Sequence, residues 1–475
     1  MREFTSRNDV FEKIYKASRL DMLGLFVGAG FSKAVIADKA NKLFKAYGWE
    51  ELLDKCCEVF GIDNSFYHIN DERINKEIRK DYPGIATIIC RKYAEKKSIK
   101  YSEAVFMFKE KICELTTIYP NKEQREMYNM FLKQLNVNWI TTTNYDHVLE
   151  SIYGSECFSI QPGEYYTKIK GIIPIYHIHG VCNNPEGIVI TNEDYINMFR
   201  PSDYRQARLP FLFKESLVVM LGYALGDFNV NIAVDWPRDV YTNNNRFINN
   251  ECNVIQLLYK DNPKDKPYKD NNGVVILEIS GIEDFFREYE KYAIAYNDEY
   301  NKKKSEVDSI CKLIDEIHNC DNETRDSFLN DYLHNINGKQ DDIIKQLSKI
   351  DIEFSYVFNS FFRLIRLVLE NANKECSRTG NFSAYDYKLK VIINILKILP
   401  GKVFPNSFMG MLAYALDEVG IYIGDKRGDS WAAKKTWEDE KSQIPDDVIH
   451  ELKRFAKSSN KEYMGLERIL DDRLD

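Results

Sequence analysis

The chain has 475 residues, 44% of them apolar and 29% charged, enough for one large core and a second smaller one, because single cores stop growing at roughly 250–300 residues. Its formal charge of -8 and sequence pI near 5.6 come from well-mixed acids and bases, which gives an ordinary soluble surface and no basic footprint for nucleic acid. No stretch reaches the roughly 18 uninterrupted apolar residues that a membrane span needs, and Met1-Arg2-Glu3-Phe4-Thr5 lacks the apolar core of a signal segment, so a cytoplasmic protein with no membrane partner is expected.

In chain order, residues 6–19 carry Val10, Phe11, Ile14 and Tyr15 at near-helical spacing and predict a helix leading into a first strand, Leu23–Val27. Gly28-Ala29-Gly30-Phe31-Ser32 follows the strand directly. A helix is expected from Ser32 to about residue 42, then a break at Gly48 and an amphipathic stretch over residues 49–60 with Leu52, Leu53, Cys56, Val59 and Phe60 on its apolar side. Residues 61–82 are polar, and helix-like pieces at 106–115 and 123–135 make residues 41–136 read as a helical insertion between sheet strands. The strand pattern resumes at 137–142 and returns at 172–176, 217–221, 254–259 and 274–279. Short apolar, β-rich runs separated by helix-capable segments are what a parallel sheet covered on both faces requires. Beyond residue 283 only helical patterns remain, at 285–296, 304–317, 341–350, 357–369, 387–399, 408–419 and 449–455. The expected architecture is an α/β domain over residues 1–290 followed by an all-helical domain over residues 291–475.

The chemistry-bearing residues fall at the carboxyl ends of those strands, where open α/β sheets bind ligands. Gly28-Ala29-Gly30 ends a β-rich run and opens a helix whose first N–H groups favour an anion, although a Gly-x-Gly turn also closes strands for steric reasons alone. No Gly-Lys-Ser or Gly-Lys-Thr follows, which excludes the ATPase-type phosphate loop and points to a dinucleotide or another nucleotide. Thr143-Asn144-Tyr145-Asp146 follows the second strand; Asn144 and Asp146 read either as site residues or as caps of the next helix. His177 and His179 alternate after the third strand, so period two places both on one face and leaves the choice between them open. The ten cysteines form no Cys-x-x-Cys pair and read as small buried hydrophobes.

Gly28-Ala29-Gly30-Phe31-Ser32, Thr143-Asn144-Tyr145-Asp146, Ile178-His179-Gly180 and Gly222-Tyr223-Ala224-Leu225-Gly226-Asp227, taken together and in this order, resemble the sirtuin fold family. Within it they are most similar to the bacterial sirtuin-like NAD-cleaving effectors of anti-phage systems such as Thoeris and the defence-associated sirtuins. The resemblance spans roughly residues 20–279. It implies a sirtuin-like Rossmann-type parallel sheet in which Gly28, Ala29, Gly30, Phe31 and Ser32 cradle the NAD pyrophosphate. Thr143 lies beside the cofactor, Asn144 holds the nicotinamide-side ribose and the attacking water, and Asp146 binds near the carboxamide. His179 is the implied catalytic histidine, with Gly222, Tyr223 and Leu225 near the adenosine half. The implied activity is NAD+ glycohydrolysis to nicotinamide and ADP-ribose in abortive infection. The alternatives are an NAD-dependent protein deacylase, an ADP-ribosyl transferase, or a non-catalytic nucleotide-binding module.

Two departures narrow the expectation. The two Cys-x-x-Cys pairs of the deacylases' zinc module are missing, since residues 180–221 contain only Cys182, so NAD+ is expected as substrate with no metal. No second Gly-rich strand-turn-helix follows residue 290, so the trigger should differ from a cyclic nucleotide. Control of a toxic NADase then falls to the helical region, through a homo-oligomer, a second defence subunit or a phage protein.

Overall fold

The computed structural model describes residues 4–37, 45–68, 81–162, 164, 169–198, 204–223, 253–271, 273–325, 327, 363, 366–367, 370, 383–398, 406–424, 429–458 and 462–474. The chain divides into two compact units, Met1–Tyr296 and Asn297–Asp475.

The first unit is built on one sheet. Helix α1 (Arg7–Arg19) starts at a capping box, Ser6 receiving the Asp9 N–H while the Asp9 carboxylate receives the Ser6 N–H. It delivers the chain to β1 (Leu23–Val27), all five residues of which are buried. Helix α2 (Ala29–Ile36) begins at once after Gly28. Among the described residues four helices intervene, α3 (Trp49–Phe60), α4 (Tyr82–Lys97), α5 (Tyr101–Thr116) and α6 (Lys122–Leu135), before β2 (Trp139–Thr142), the short α7 (Val148–Tyr153), β3 (Cys157–Ile160) and β4 (Ile173–His177). Then come α8 (Asn192–Met198), α9 (Tyr204–Glu215), β5 (Leu217–Leu221), β6 (Val254–Tyr259), β7 (Tyr268–Lys269) and β8 (Val275–Ile279).

The strand order is β3-β4-β2-β1-β5-β6-β8-β7, parallel except for β7 against β8. β1 is central: the chain leaves it toward β2 and β4, then crosses back to add β5 on its other side. That reversal is the switch point at which such sheets open a crevice. Register then aligns the strand ends, with Val27 opposite both Thr142 and Leu221 and Thr142 opposite His177. The segments after those four residues therefore emerge side by side.

Four expected strand boundaries move by one or two residues, 137 to 139, 172 to 173, 176 to 177 and 274 to 275, and two strands are new. β2 starts at Trp139 rather than residue 137, because the Asn138 N–H already turns to the Leu23 carbonyl. β3 and β7 lie at the two sheet edges. Three of the four β3 residues are only partly buried and both β7 residues are exposed, so neither produces an apolar run that a sequence pattern can register.

One core packs Phe26, Trp139, Met220, Val254 and Ile276 of the sheet against Leu212 and Phe213 of α9. The inserted helices have their own core of Leu53, Cys56, Ile89, Cys90, Phe108 and Ile112, continuous with Tyr145, Cys182, Ile188 and Ile190 from the loops at the strand ends. Most described cysteines are buried here, and burial pushes the Cys57 thiol up to about 11 and those of Cys90 and Cys113 to about 12, the behaviour of packing groups. Cys157, Cys311 and Cys320 are half-buried.

The helices expected at 285–296 and 304–317 are one helix, α10 (Ile282–Asn319). Residues 297–303 hold neither Gly nor Pro, so nothing interrupts the backbone between the two apolar segments. In the second unit α11 (Ser383–Ile398), α12 (Asn406–Tyr422), α13 (Trp431–Glu440), α14 (Asp446–Ser458) and α15 (Met464–Leu474) are described. Leu389, Ile392, Leu412, Leu416, Leu452 and Leu466 are fully buried within it. Asp417 accepts the Gly465 and Leu466 N–H groups at 2.8 and 3.1 Å, which caps α15 from α12. Among the described residues this unit has no strand, only an isolated bridge between Ile423 and Ser430. The helices expected at 341–350 and 357–369, with most of the apolar face they carry, lie largely outside the described residues.

Candidate active site

A cavity of about 530 Å³ opens over the carboxyl ends of β1, β2 and β5. Its floor is Ala29 and Gly30 at the start of α2, Thr143 to Asp146 after β2, and Gly222 and Tyr223 after β5. Its walls come from α2, the inserted helices and α8: Lys33, Trp49, Tyr82, Thr116 and Tyr195.

The glycines are used for close approach. The Gly28 N–H donates to the Leu221 carbonyl at 2.9 Å, the Gly30 N–H to the Gly222 carbonyl at 2.8 Å, and the Phe31 N–H to the Gly28 carbonyl at 3.0 Å. Gly222 has φ +60, and a Cβ on it would lie 2.0 Å from the Phe31 nitrogen. The turns after β1 and β5 are thus pressed backbone to backbone, and only glycine permits it. Ala29 and Gly30 reach the cavity; Phe31 does not line it, being fully buried with its ring edge-on to Tyr128.

Ser32 lies beneath the floor and fixes Asn144, whose amide Nδ2 donates to the Ser32 Oγ at 3.0 Å. The Asn144 main-chain N–H donates to Thr142 Oγ1 at 3.0 Å, and that hydroxyl donates on to the Val27 carbonyl at 2.9 Å. Asn144 is therefore a cavity-lining residue rather than a cap. Asp146 is both: it lines the cavity, and its Oδ1 accepts the Val148 N–H at 3.1 Å at the start of α7. Burial raises its carboxyl to about 6, partly offset by hydrogen bonds from Val148 and Ser32.

The two histidines separate. His177 ends β4 and turns away to Glu150 and the Asn144 carbonyl. His179, past the strand end and fully buried, stands one layer behind the cavity wall. Its ring meets Trp49 edge-on at 6.1 Å, and its Nε2 is 3.4 Å from the Tyr195 hydroxyl. Tyr195 is placed by α8, whose first turn is tied down by Asp194: its carboxylate accepts the Thr191 N–H and hydroxyl, each at 2.9 Å, and the Lys109 ammonium of α5 at 2.7 Å.

Tyr223 lines the cavity with its ring edge-on to Phe26 at 4.8 Å. Leu225 lies outside the described residues, as do Ala224, Gly226 and Asp227.

The wall residues were not singled out from the sequence. Trp49 stacks on Tyr82 at 5.5 Å and 17°, offering a flat aromatic surface. Lys33 pairs with Glu51, which also accepts the Gly48 N–H at 2.9 Å; burial would raise the Glu51 carboxyl, yet these bonds bring it to about 2. The only local signal for Trp49 was its place directly after the Gly48 break.

The strand-end glycine turn, the Thr-Asn-Tyr-Asp loop and the His-Gly turn are here one constellation, and residues 138–277 match the family described as SIR2-like domain. The likeness is to a SIR2-like domain over that part of the chain. The match runs from β2 to β8, so it includes Asn144, Asp146, His179 and Gly222. The chain is also similar to Defense-associated sirtuin 2 of Bacillus subtilis, 21% identical over 260 residues, which is 50% of this chain and 23% of that protein. It thus aligns with less than a quarter of that relative's length. The matched residues carry the strands of the parallel sheet from β2 into β8, and helices follow them.

Proposed function

We propose that the SIR2-like domain cleaves NAD+ to nicotinamide and ADP-ribose, and that the protein acts as an NAD-depleting effector in anti-phage abortive infection. The observation that carries the reading is Asn144, clamped by Ser32 on the floor of a cavity of about 530 Å³ beside the buried carboxyl of Asp146. The likeness to a defence-associated sirtuin supports the biological role.

The chemistry asks little beyond aimed polar groups. The C1′–N bond of the nicotinamide ribose breaks with its electron pair going to the pyridinium, which leaves neutral; water then bonds to C1′ and gives up a proton. Asn144 holds the ribose or the water, and Asp146 meets the carboxamide. His179 takes the proton through the Tyr195 hydroxyl that links it to the cavity. Ala29 and Gly30 with Lys33 hold the diphosphate, Ser32 supports it only through Asn144, Thr143 borders the ribose, and Gly222 and Tyr223 border the adenosine. The Trp49–Tyr82 surface excludes water from the oxocarbenium-like ribose. The leaving group already carries positive charge, so the proposed reaction uses no metal. The second unit provides control, by homo-oligomer contacts or by a partner subunit or phage protein.

Purified protein incubated with NAD+, with free nicotinamide followed in the presence and absence of an acylated peptide, tests the reading. Nicotinamide release without the peptide supports it; release only with the peptide assigns a deacylase, and binding without release a nucleotide-binding module.

A further inference from the structure

Beside the loop that carries Asn144, three metal-ligating side chains converge. His147 stands directly ahead of α7, Glu150 lies in the first turn of that helix, and His177 is the last residue of β4. Each offers one ligand atom, and among the described residues these atoms lie within 4.8 Å of one another. None of the three lines the cavity over the ends of β1, β2 and β5, so the cluster is separate from the proposed NAD+ site.

The groups around the cluster orient it as outer partners orient metal ligands. A metal-bound imidazole is fixed by a hydrogen bond at its other nitrogen, commonly to a main-chain carbonyl. His177 has that arrangement: Nδ1 is 3.1 Å from the Asn144 carbonyl oxygen, while Nε2 meets Glu150 Oε1 at 2.6 Å. The Ser159 hydroxyl of β3 donates to the same Oε1 and sets the plane of the carboxylate. The Cys182 thiol, from the loop after β4, is hydrogen-bonded to the His147 ring. Glu150 Oε2 is buried and accepts no hydrogen bond, which is costly for a carboxylate oxygen. His147 Nδ1 stands 3.6 Å from it. That is too long for a hydrogen bond and close to the roughly 3.3 Å that separates two ligands at about 2.0–2.1 Å from a tetrahedral ion. A cation in this gap satisfies Oε2. Its entry asks the 2.6 Å Nε2–Oε1 pair to open to the same spacing and releases the proton held there.

We propose that His147, Glu150 and His177 bind one Zn2+, with water in the fourth position, and that the ion staples the start of α7 to the end of β4. Two imidazoles and one carboxylate are a zinc donor set, whereas magnesium and calcium take oxygen alone. Asn144 lies between the stapled elements, three residues before His147 and hydrogen-bonded through its carbonyl to His177, so the ion braces its loop from behind. The site is structural. It does not rest on the proposed NAD+ cleavage, because no ligand reaches the cavity.

The test strips the full-length protein with a chelator and titrates Zn2+ back by calorimetry. One Zn2+ per chain is expected with a Kd at or below about 1 µM, with proton release and a melting temperature higher by about 5 °C or more. His147→Gln and Glu150→Gln should each weaken binding by on the order of 10²-fold or more, and Ser159→Ala, which removes only the hydroxyl behind the carboxylate, by about 10-fold. His147 is only half-buried, so its variant keeps the test open should Glu150→Gln fail to fold. Stripped protein that remains folded should retain NAD+ turnover. Absence of binding at about 1 µM Zn2+, or parental affinity in both ligand variants, would overturn the proposal. Turnover that disappears on stripping while the fold persists would overturn the structural role. A parent chain that releases no nicotinamide fails the cleavage reading and leaves the zinc titration to decide this site by itself.

Discussion

At the scale of single residues, the cavity floor joins two kinds of constraint. Asn144 is held at its side chain by Ser32 and at its main chain by Thr142, so the amide is presented in one orientation. Asn144→Ala is expected to lower NAD+ cleavage by on the order of 10²-fold or more, the usual cost of losing an aimed polar group. His179→Ala should do the same by removing the proton acceptor, and near-parental nicotinamide release from both variants would refute the assignment. Asp146 carries a pH signature independent of turnover. Its carboxyl is pushed up to about 6 by burial, against about 3.9 in an unfolded chain, so the folded state binds this proton more tightly. The stability gained is complete below about pH 3.9 and is lost as pH rises through about 6. Asp146→Asn keeps the acceptor for the Val148 N–H and cannot ionise. Relative to the parent it should gain on the order of 2–3 kcal/mol between pH 4 and pH 8, measured by chemical denaturation. An unchanged difference across that range would mean that Asp146 is not buried as a proton-binding group.

At the scale of elements, the turns after β1 and β5 behave as one piece. Gly222→Ala places a methyl carbon 2.0 Å from the Phe31 nitrogen at positive φ, and no side-chain rotation relieves a backbone clash. A loss of about 2 kcal/mol or more is expected, read as a lower denaturation midpoint. A midpoint equal to the parent's would mean that the turns are not in contact. Away from the site, Phe131 of α6 stacks on Phe286 of α10 at 5.1 Å and 3°, with Phe11 of α1 close to Phe285. Phe286→Ala should cost roughly 3–5 kcal/mol and leave the KM for NAD+ unchanged wherever the protein remains folded. Trp49→Ala should act in the opposite sense, since Trp49 heads α3 and packs on both Tyr82 and His179. The KM should rise at least several-fold with a smaller change in stability, because part of the ring faces the cavity.

At the scale of the whole molecule, residue 290 lies inside a 38-residue helix, Ile282–Asn319, within the sequence where the chain divides into two units. A truncation that tests control by the second unit should therefore end after Asn319, since a cut at 290 would sever a helix. The proposed regulation predicts an oligomer by light scattering for the full chain and altered NAD+ turnover for the shortened one. A monomer whose high turnover survives truncation unchanged would rule it out. Among the described residues no helix is long and apolar enough to cross a membrane. Activity is expected to survive chelation, because departure of nicotinamide is assisted by its own ring charge.

The central strands and the segments that follow them were legible because each is a local event. β1 and β5 are five-residue runs buried throughout and β6 is a six-residue run buried over its first four residues, and the first ends in a glycine turn whose spacing alone marks the helix start. Tertiary structure decided everything that depends on which strand ends stand together. Register set Thr142 opposite both Val27 and His177; this brought Ser32 to Asn144 across 112 positions and gave His177 to Glu150 while His179 went to Tyr195. Period two places both histidines alike on an isolated strand. Only the end of β4 at His177, and the turn that follows, sends them to different partners. The aromatic wall was hidden for the same reason: Trp49, Tyr82 and Tyr195 are unremarkable in their own helices and become a site only where the insertion folds over the sheet.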